Sequence, residues 1–194
     1  MAENTHIKSL SCFTAARTFR AQAQINQAML RRILCQDILT LTFINLGFSG
    51  NALGEQEMAE FIGNVDASML IMEYDHNAPN ADYLRKTHYA FYETVRKLRP
   101  DMPIIMTSKH DYYICSYYVK SQKENVERRK VVIESYERAK AAGDKNVYFI
   151  DGKDLLKGVN REDCTADGVH PNDLGFYRIA QKFIKFICKN NLLK

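Results

Sequence analysis

Ala67-Ser-Met-Leu-Ile-Met-Glu73 is a nearly unbroken apolar run, and the segment Asp82 to Leu98 after it carries Leu84, His88, Phe91, Tyr92 and Val95 at helical spacing. A strand that is apolar throughout has no wet side, so it belongs in a sheet covered on both faces. The same strand-then-helix unit recurs in both directions. Upstream, Leu39-Thr-Leu-Thr-Phe-Ile-Asn-Leu46 reads as a buried strand that stops at Gly47-Phe-Ser-Gly50, followed by a short helix from Glu55 to Ile62. Downstream, Pro100-Asp-Met-Pro103 closes the helix, and a strand follows at Pro103 to Thr107. A long helix from Val119 to Ala142 ends at Gly143, a strand spans Val147 to Ile150, and a last helix runs from Pro171 to Cys188. An amphipathic helix is also expected over Ala21 to Leu34, with Ile25, Ala28, Met29 and Ile33 on one face.

This alternation predicts an α/β protein: a three-layer α/β/α sandwich with a doubly wound, mainly parallel sheet. In such sheets the ligand crevice lies beyond the carboxyl ends of the strands, so the loops after Leu46, Glu73, Thr107 and Ile150 should share one surface. At 194 residues and 46% hydrophobic content, the chain is long enough for one substantial core and is read as a single domain over 1–194.

The net charge of +4 comes from 27 basic and 23 acidic residues interspersed along the chain, so no nucleic-acid or membrane footprint stands out. Cys12, Cys35, Cys115, Cys164 and Cys188 are odd in number and form no CxxC pair, which disfavours both a disulfide framework and a zinc cage. A reducing compartment fits them. With no signal-peptide pattern and no long apolar span, the expected setting is cytoplasmic.

Three segments carry candidate chemistry. Thr165-Ala-Asp167-Gly-Val-His170-Pro171-Asn172 puts a carboxylate three positions before an imidazole in one turn leading into a helix. That pairing suits a base that takes a nucleophile's proton while the carboxylate fixes its tautomer; an Asx turn with a helix cap accounts for the same residues. Asn45-Leu-Gly47-Phe-Ser-Gly50-Asn51 has glycines that let a backbone N–H reach a developing oxyanion, or that simply turn the chain. Glu73-Tyr-Asp75-His76-Asn77-Ala-Pro79 offers Asn77 as a neutral amide donor. No third ligand at suitable spacing accompanies Asp75 and His76, so no metal site is expected.

Together these segments resemble the SGNH hydrolases, also called GDSL esterases or lipases, from about Leu39 to the C-terminus. The resemblance implies an SGNH/flavodoxin-like sheet, with Gly50 and Asn77 as the oxyanion hole and Asp167 and His170 as the acid and base of a Ser-His-Asp triad. It implies acyl or carbohydrate esters as substrates and requires no cofactor. The sequence departs from the family in residues 1–38, where no Gly-Asp-Ser turn occurs. Ser11 in Lys8-Ser-Leu-Ser-Cys12 is the nucleophile candidate, although it follows no glycine and its neighbours barely make a strand. The family's spacing would put the nucleophile near Ala15 or Ala16. One hypothesis is a shifted reading of the codons for Phe13 to Ala16, which could restore His-Gly-Ser; the nucleotide sequence tests it. Some relatives carry a further N-terminal β-rich domain, which leaves room for one before residue 1.

A catalytically silent member of the fold that binds a glycan or acyl ligand is the alternative. A nucleotide-binding protein on a similar sheet would need a Gly-rich phosphate loop, and none occurs. The run Tyr112 to Tyr118 either walls a ligand pocket or packs, His110-Asp111 reads as surface loop, and Lys120 to Lys130 as the solvated face of a helix.

Overall fold

A computed structural model describes residues 8–14, 41–46, 48, 50–110 and 119–192, with the course of the backbone alone over 8–14, 41–43, 45 and 119–121. The helix expected over 21–34, positions 15 and 16, Asp111 and the aromatic run 112–118 lie outside these residues.

The described elements are β1 (Lys8–Thr14), β2 (Leu41–Asn45), α1 (Gln56–Asn64), β3 (Met69–Glu73), α2 (Ala81–Leu98), β4 (Ile104–Thr107), α3 (Val119–Ala141), β5 (Val147–Ile150) and α4 (Asp173–Lys189). The sheet has the order β2-β1-β3-β4-β5, and every neighbouring pair is parallel. Winding runs one way from β1 to β2 and the other way from β3 onward. The switch point therefore lies between the carboxyl ends of β1 and β3, where an open α/β sheet forms its crevice.

Strand β1 is a correction to the sequence reading. Lys-Ser-Leu-Ser-Cys-Phe-Thr lacks the β-branched run that marks a strand, yet it occupies a central position, pairing with β2 from Lys8 to Cys12 and with β3 from Leu10 to Thr14. Backbone pairing on both sides outweighs a weak local preference.

The two faces of the sheet are sorted by the two-residue repeat of a strand. Leu70, Met72, Ile104, Met106 and Val147 enter the larger core with α1, α2 and α3, including Ile62, Leu84, Phe91 and Val132. Met69, Ile71, Ile105 and Ile150 enter the other, against Phe183, Ile184 and Ile187 of α4. Asn80 and Asn172 cap α2 and α4, each accepting a backbone N–H three residues on. His88 is fully buried on α2 with neither ring nitrogen hydrogen-bonded, and its ring stacks on Tyr74. Burial holds its pKa down at about 3, so it packs as a neutral aromatic ring. Among the described residues, no helix is long and apolar enough to cross a membrane.

Candidate active site

The terminal turn is built almost entirely from its own atoms. Gly168 takes a positive φ of 79°, and the backbone N–H groups of Val169 and His170 donate to Asp167 Oδ1 at 2.9 and 2.7 Å. The second oxygen, Oδ2, lies 2.5 Å from His170 Nδ1. One carboxylate thus forms the Asx turn and the imidazole pair together, so the structural and the chemical accounts of this motif describe one arrangement. Desolvation raises the Asp167 pKa, but the His170 N–H, the imidazole and the Val169 N–H outweigh it and hold the carboxyl down at about 2. A carboxylate accepts from Nδ1–H, which leaves the Nε2 lone pair to receive a proton. The outer frame of the turn is Ala166 N–H on the His170 carbonyl at 2.9 Å, with Asn172 Nδ2 on the Asp163 carbonyl at 2.6 Å.

Loops from β2 and β3 meet at the switch point. Gly50 has a φ of +72°, with open space where a side chain would begin. Asn51 N–H closes that turn on the Phe48 carbonyl at 2.9 Å. The same carbonyl receives Asn77 Nδ2 at 3.5 Å, a long contact that a stronger acceptor can displace. The ring of Phe48 is 42% exposed beside it.

The β3 loop is held from a distance. Asp75 is buried, and both its oxygens accept the backbone N–H of Lys109, at 3.1 and 3.0 Å. Desolvation lifts its pKa to about 6 against that hydrogen bond. His76 is pushed well below the usual imidazole value by desolvation and by Lys109, His110, Arg128 and His170. Arg128 donates to the carbonyls of Ala78 and Pro79 at 3.0 and 3.1 Å, with its side chain only 12% exposed. The solvated face read over Lys120 to Lys130 holds at Lys123, Glu124, Glu127 and Lys130, which are exposed, and is corrected at two positions. Arg128 and Arg129 turn inward, the latter pairing with Asp151. Spacing on a helix marks a face as charged, but not what the neighbouring loop offers it.

Glu73 is the third donor that sequence spacing did not bring out. One of its oxygens lies within 4.8 Å of a donor atom of Asp75 and of His76. The Asp75 oxygens, however, are already engaged by Lys109, and cations surround the group.

Ser11 pairs with Ile44 and Leu70, three residues before the end of β1 at Thr14, which pairs with Glu73. At about 3.3 Å per residue, that is roughly 10 Å short of the strand's carboxyl end. His110, read from sequence as surface loop, instead reaches the terminal turn: its Nε2 lies 2.8 Å from the Val169 carbonyl oxygen. Its ring centroid is 6.1 Å from that of His76, so the turn carrying His170 lies by the β3 and β4 loops.

The profile of the GDSL-like lipase/acylhydrolase family matches residues 20–188. The chain belongs to that family. The match begins beyond β1, so the segment in which the resemblance implies a nucleophile precedes it. No curated protein matches the chain. Among solved structures, a protein described as a GDSL-like lipase from Bacteroides ovatus is 28% identical with a TM-score of 0.81, covering 96% of this chain and 54% of its own. A salicylyl-acyltransferase from a tetracycline biosynthetic pathway is 16% identical with a TM-score of 0.77, covering 99% and 57%. A family 3 carbohydrate esterase from Clostridium thermocellum is 16% identical with a TM-score of 0.66, covering 97% and 100%. The chain spans about half the length of the first two, and the last two show a shared fold alone. That GDSL-type fold is the α/β sandwich expected from the strand-helix alternation.

Proposed function

We propose that this GDSL-family chain hydrolyses acyl or carbohydrate esters, with His170 as general base and then acid and Asp167 as its orienting carboxylate. A hydroxyl oxygen attacks the ester carbonyl carbon while its proton passes to His170 Nε2. The carbonyl oxygen becomes an oxyanion that the Gly50 N–H and Asn77 Nδ2 stabilise. Collapse of this intermediate breaks the bond to the alcohol oxygen, which takes the proton from His170. Water then repeats the two steps and frees the acid. No step calls on a cofactor. The observation that carries the reading is the 2.5 Å contact from His170 Nδ1 to Asp167, which selects the tautomer a base needs. The acyltransferase and carbohydrate esterase among the structural neighbours motivate the substrate class. Free Cys164 and Cys188 go with a reducing, cytoplasmic setting.

Ser11 is the serine that the sequence offers as nucleophile, although the register of β1 sets it roughly 10 Å short of the strand's carboxyl end. Hydrolysis of p-nitrophenyl acetate by the full chain tests the reading: His170→Ala should lower kcat by about 10³-fold or more. Turnover that survives His170→Ala removes the reading. Loss in His170→Ala with retention in Ser11→Ala moves the nucleophile to the segment after β1.

The second reading, a silent module that binds a glycan or acyl ligand, is favoured by the register of β1, which sets Ser11 well inside the sheet and Thr14 at its carboxyl end. Ester or glycan binding without turnover by the wild-type chain would establish it.

A further inference from the structure

Ser108, Lys109 and His110 follow β4 directly, and each holds a different loop. Ser108 Oγ accepts the Gly152 N–H of the β5 loop at 3.0 Å, and a Cβ on Gly152 would stand 1.9 Å from the Lys109 carbonyl oxygen. Lys109 N–H holds Asp75, two residues before Asn77. His110 Nε2 meets the carbonyl of Val169, one residue before His170. A carbonyl only accepts, so Nε2 carries the hydrogen in this contact.

The bond from His110 falls on a single peptide plane. The Val169 carbonyl and the His170 N–H belong to one rigid unit; the carbonyl accepts from His110 at 2.8 Å and the N–H donates to Asp167 Oδ1 at 2.7 Å. Held from both edges, that plane sets the direction in which the His170 side chain leaves the backbone. Asp167 supplies one edge locally, while His110 ties the other to the sheet.

Resting on the hydrolase reading above, we propose that His110 is a positioning residue: it locks the 169–170 peptide and, through Lys109 and Asp75, sets the imidazole of His170 at its working distance from Asn77. His110 touches no reacting atom. It matters because a base displaced by about 1 Å can lose up to a hundredfold in rate.

His110→Phe fills the same space without a donor, and His110→Gln restores an N–H at similar reach. Two readouts separate this proposal from the reading beneath it. The first is the far-downfield proton NMR resonance of His170 Nδ1–H bonded to Asp167, assigned by its loss in His170→Ala; it needs no turnover. The second is kcat and KM on p-nitrophenyl acetate. The Phe variant should shift and broaden the resonance and lower kcat by about 10- to 100-fold with KM within about threefold, and the Gln variant should recover most of both. A resonance at the wild-type position in the Phe variant overturns the proposal. So does a Gln variant no better than Phe, or a loss confined to KM. If the Phe variant does not fold, His110→Ala against His110→Gln gives the same comparison. A wild-type chain without turnover ends the hydrolase reading, and the resonance still decides the role of His110.

Discussion

The terminal turn and the β3 loop lie at the same edge of the sheet and are held by opposite means. Asp167 and His170 are exposed to 45% and 24% at their side chains, and nearly every bond that shapes their turn lies within ten residues of sequence. Asp75 and the backbone around Asn77 are held by Lys109 and Arg128, 34 and 50 residues away. The exposed turn keeps its carboxylate and imidazole close to water. The buried loop spends its ionisable group on a backbone N–H and so serves as framework. The contrast predicts that changes in the turn act on rate and changes around the β3 loop act on stability.

The sharpest way to break the comparison is Asp167→Asn. It should lower kcat on an ester substrate by about 10³- to 10⁴-fold, through loss of the correct imidazole tautomer, with only a modest fall in Tm at neutral pH because the carboxylate is part-exposed. A large fall in Tm would make the turn structural after all. Next in size is Asp75→Ala, which leaves the Lys109 N–H without its acceptor and should cost about 2–3 kcal/mol in urea denaturation.

The two carboxylates also differ in the sign of their pH dependence. Asp75 has a folded pKa raised to about 6, so its contribution to stability is fullest below its ordinary value and is lost as pH rises through about 6. Asp167 has a folded pKa lowered to about 2, so its contribution is present above the ordinary carboxylate value and is lost as pH falls toward about 2. Asp75→Asn should therefore gain on the wild type in Tm as pH is raised from about 4 to about 7, whereas Asp167→Asn should lose ground as pH is raised from about 2 to about 4. Identical pH profiles for the two variants would erase the distinction. The smallest effect is expected for Arg128→Ala, about 1–2 kcal/mol from two lost carbonyl contacts, checked by the same denaturation.

The chain's order of elements was legible because the apolar runs at Ala67–Glu73 and Pro103–Thr107 and the helical spacing of Leu84, Phe91 and Val95 are one-dimensional patterns with a single physical cause, burial on defined faces. The expected bounds of β5 agree with the structure, and α2 and α3 differ by one residue at one end. Strand β1 was not legible, because its identity rests on pairing with two neighbours rather than on its own composition. His110 was passed over for the same reason: its partner carbonyl is 59 residues away and leaves no trace in local spacing.

By itself, then, the sequence determined the α/β layering and the Asp167–His170 turn, since each depends on contacts between residues close in the chain. Only the tertiary structure decided that Lys109 holds Asp75, that Arg128 faces inward, that Glu73 completes a triad of donors and that His110 reaches Val169. Those contacts exist because parallel strands bring their carboxyl ends to one edge, and proximity at that edge is set by sheet order rather than by distance along the chain.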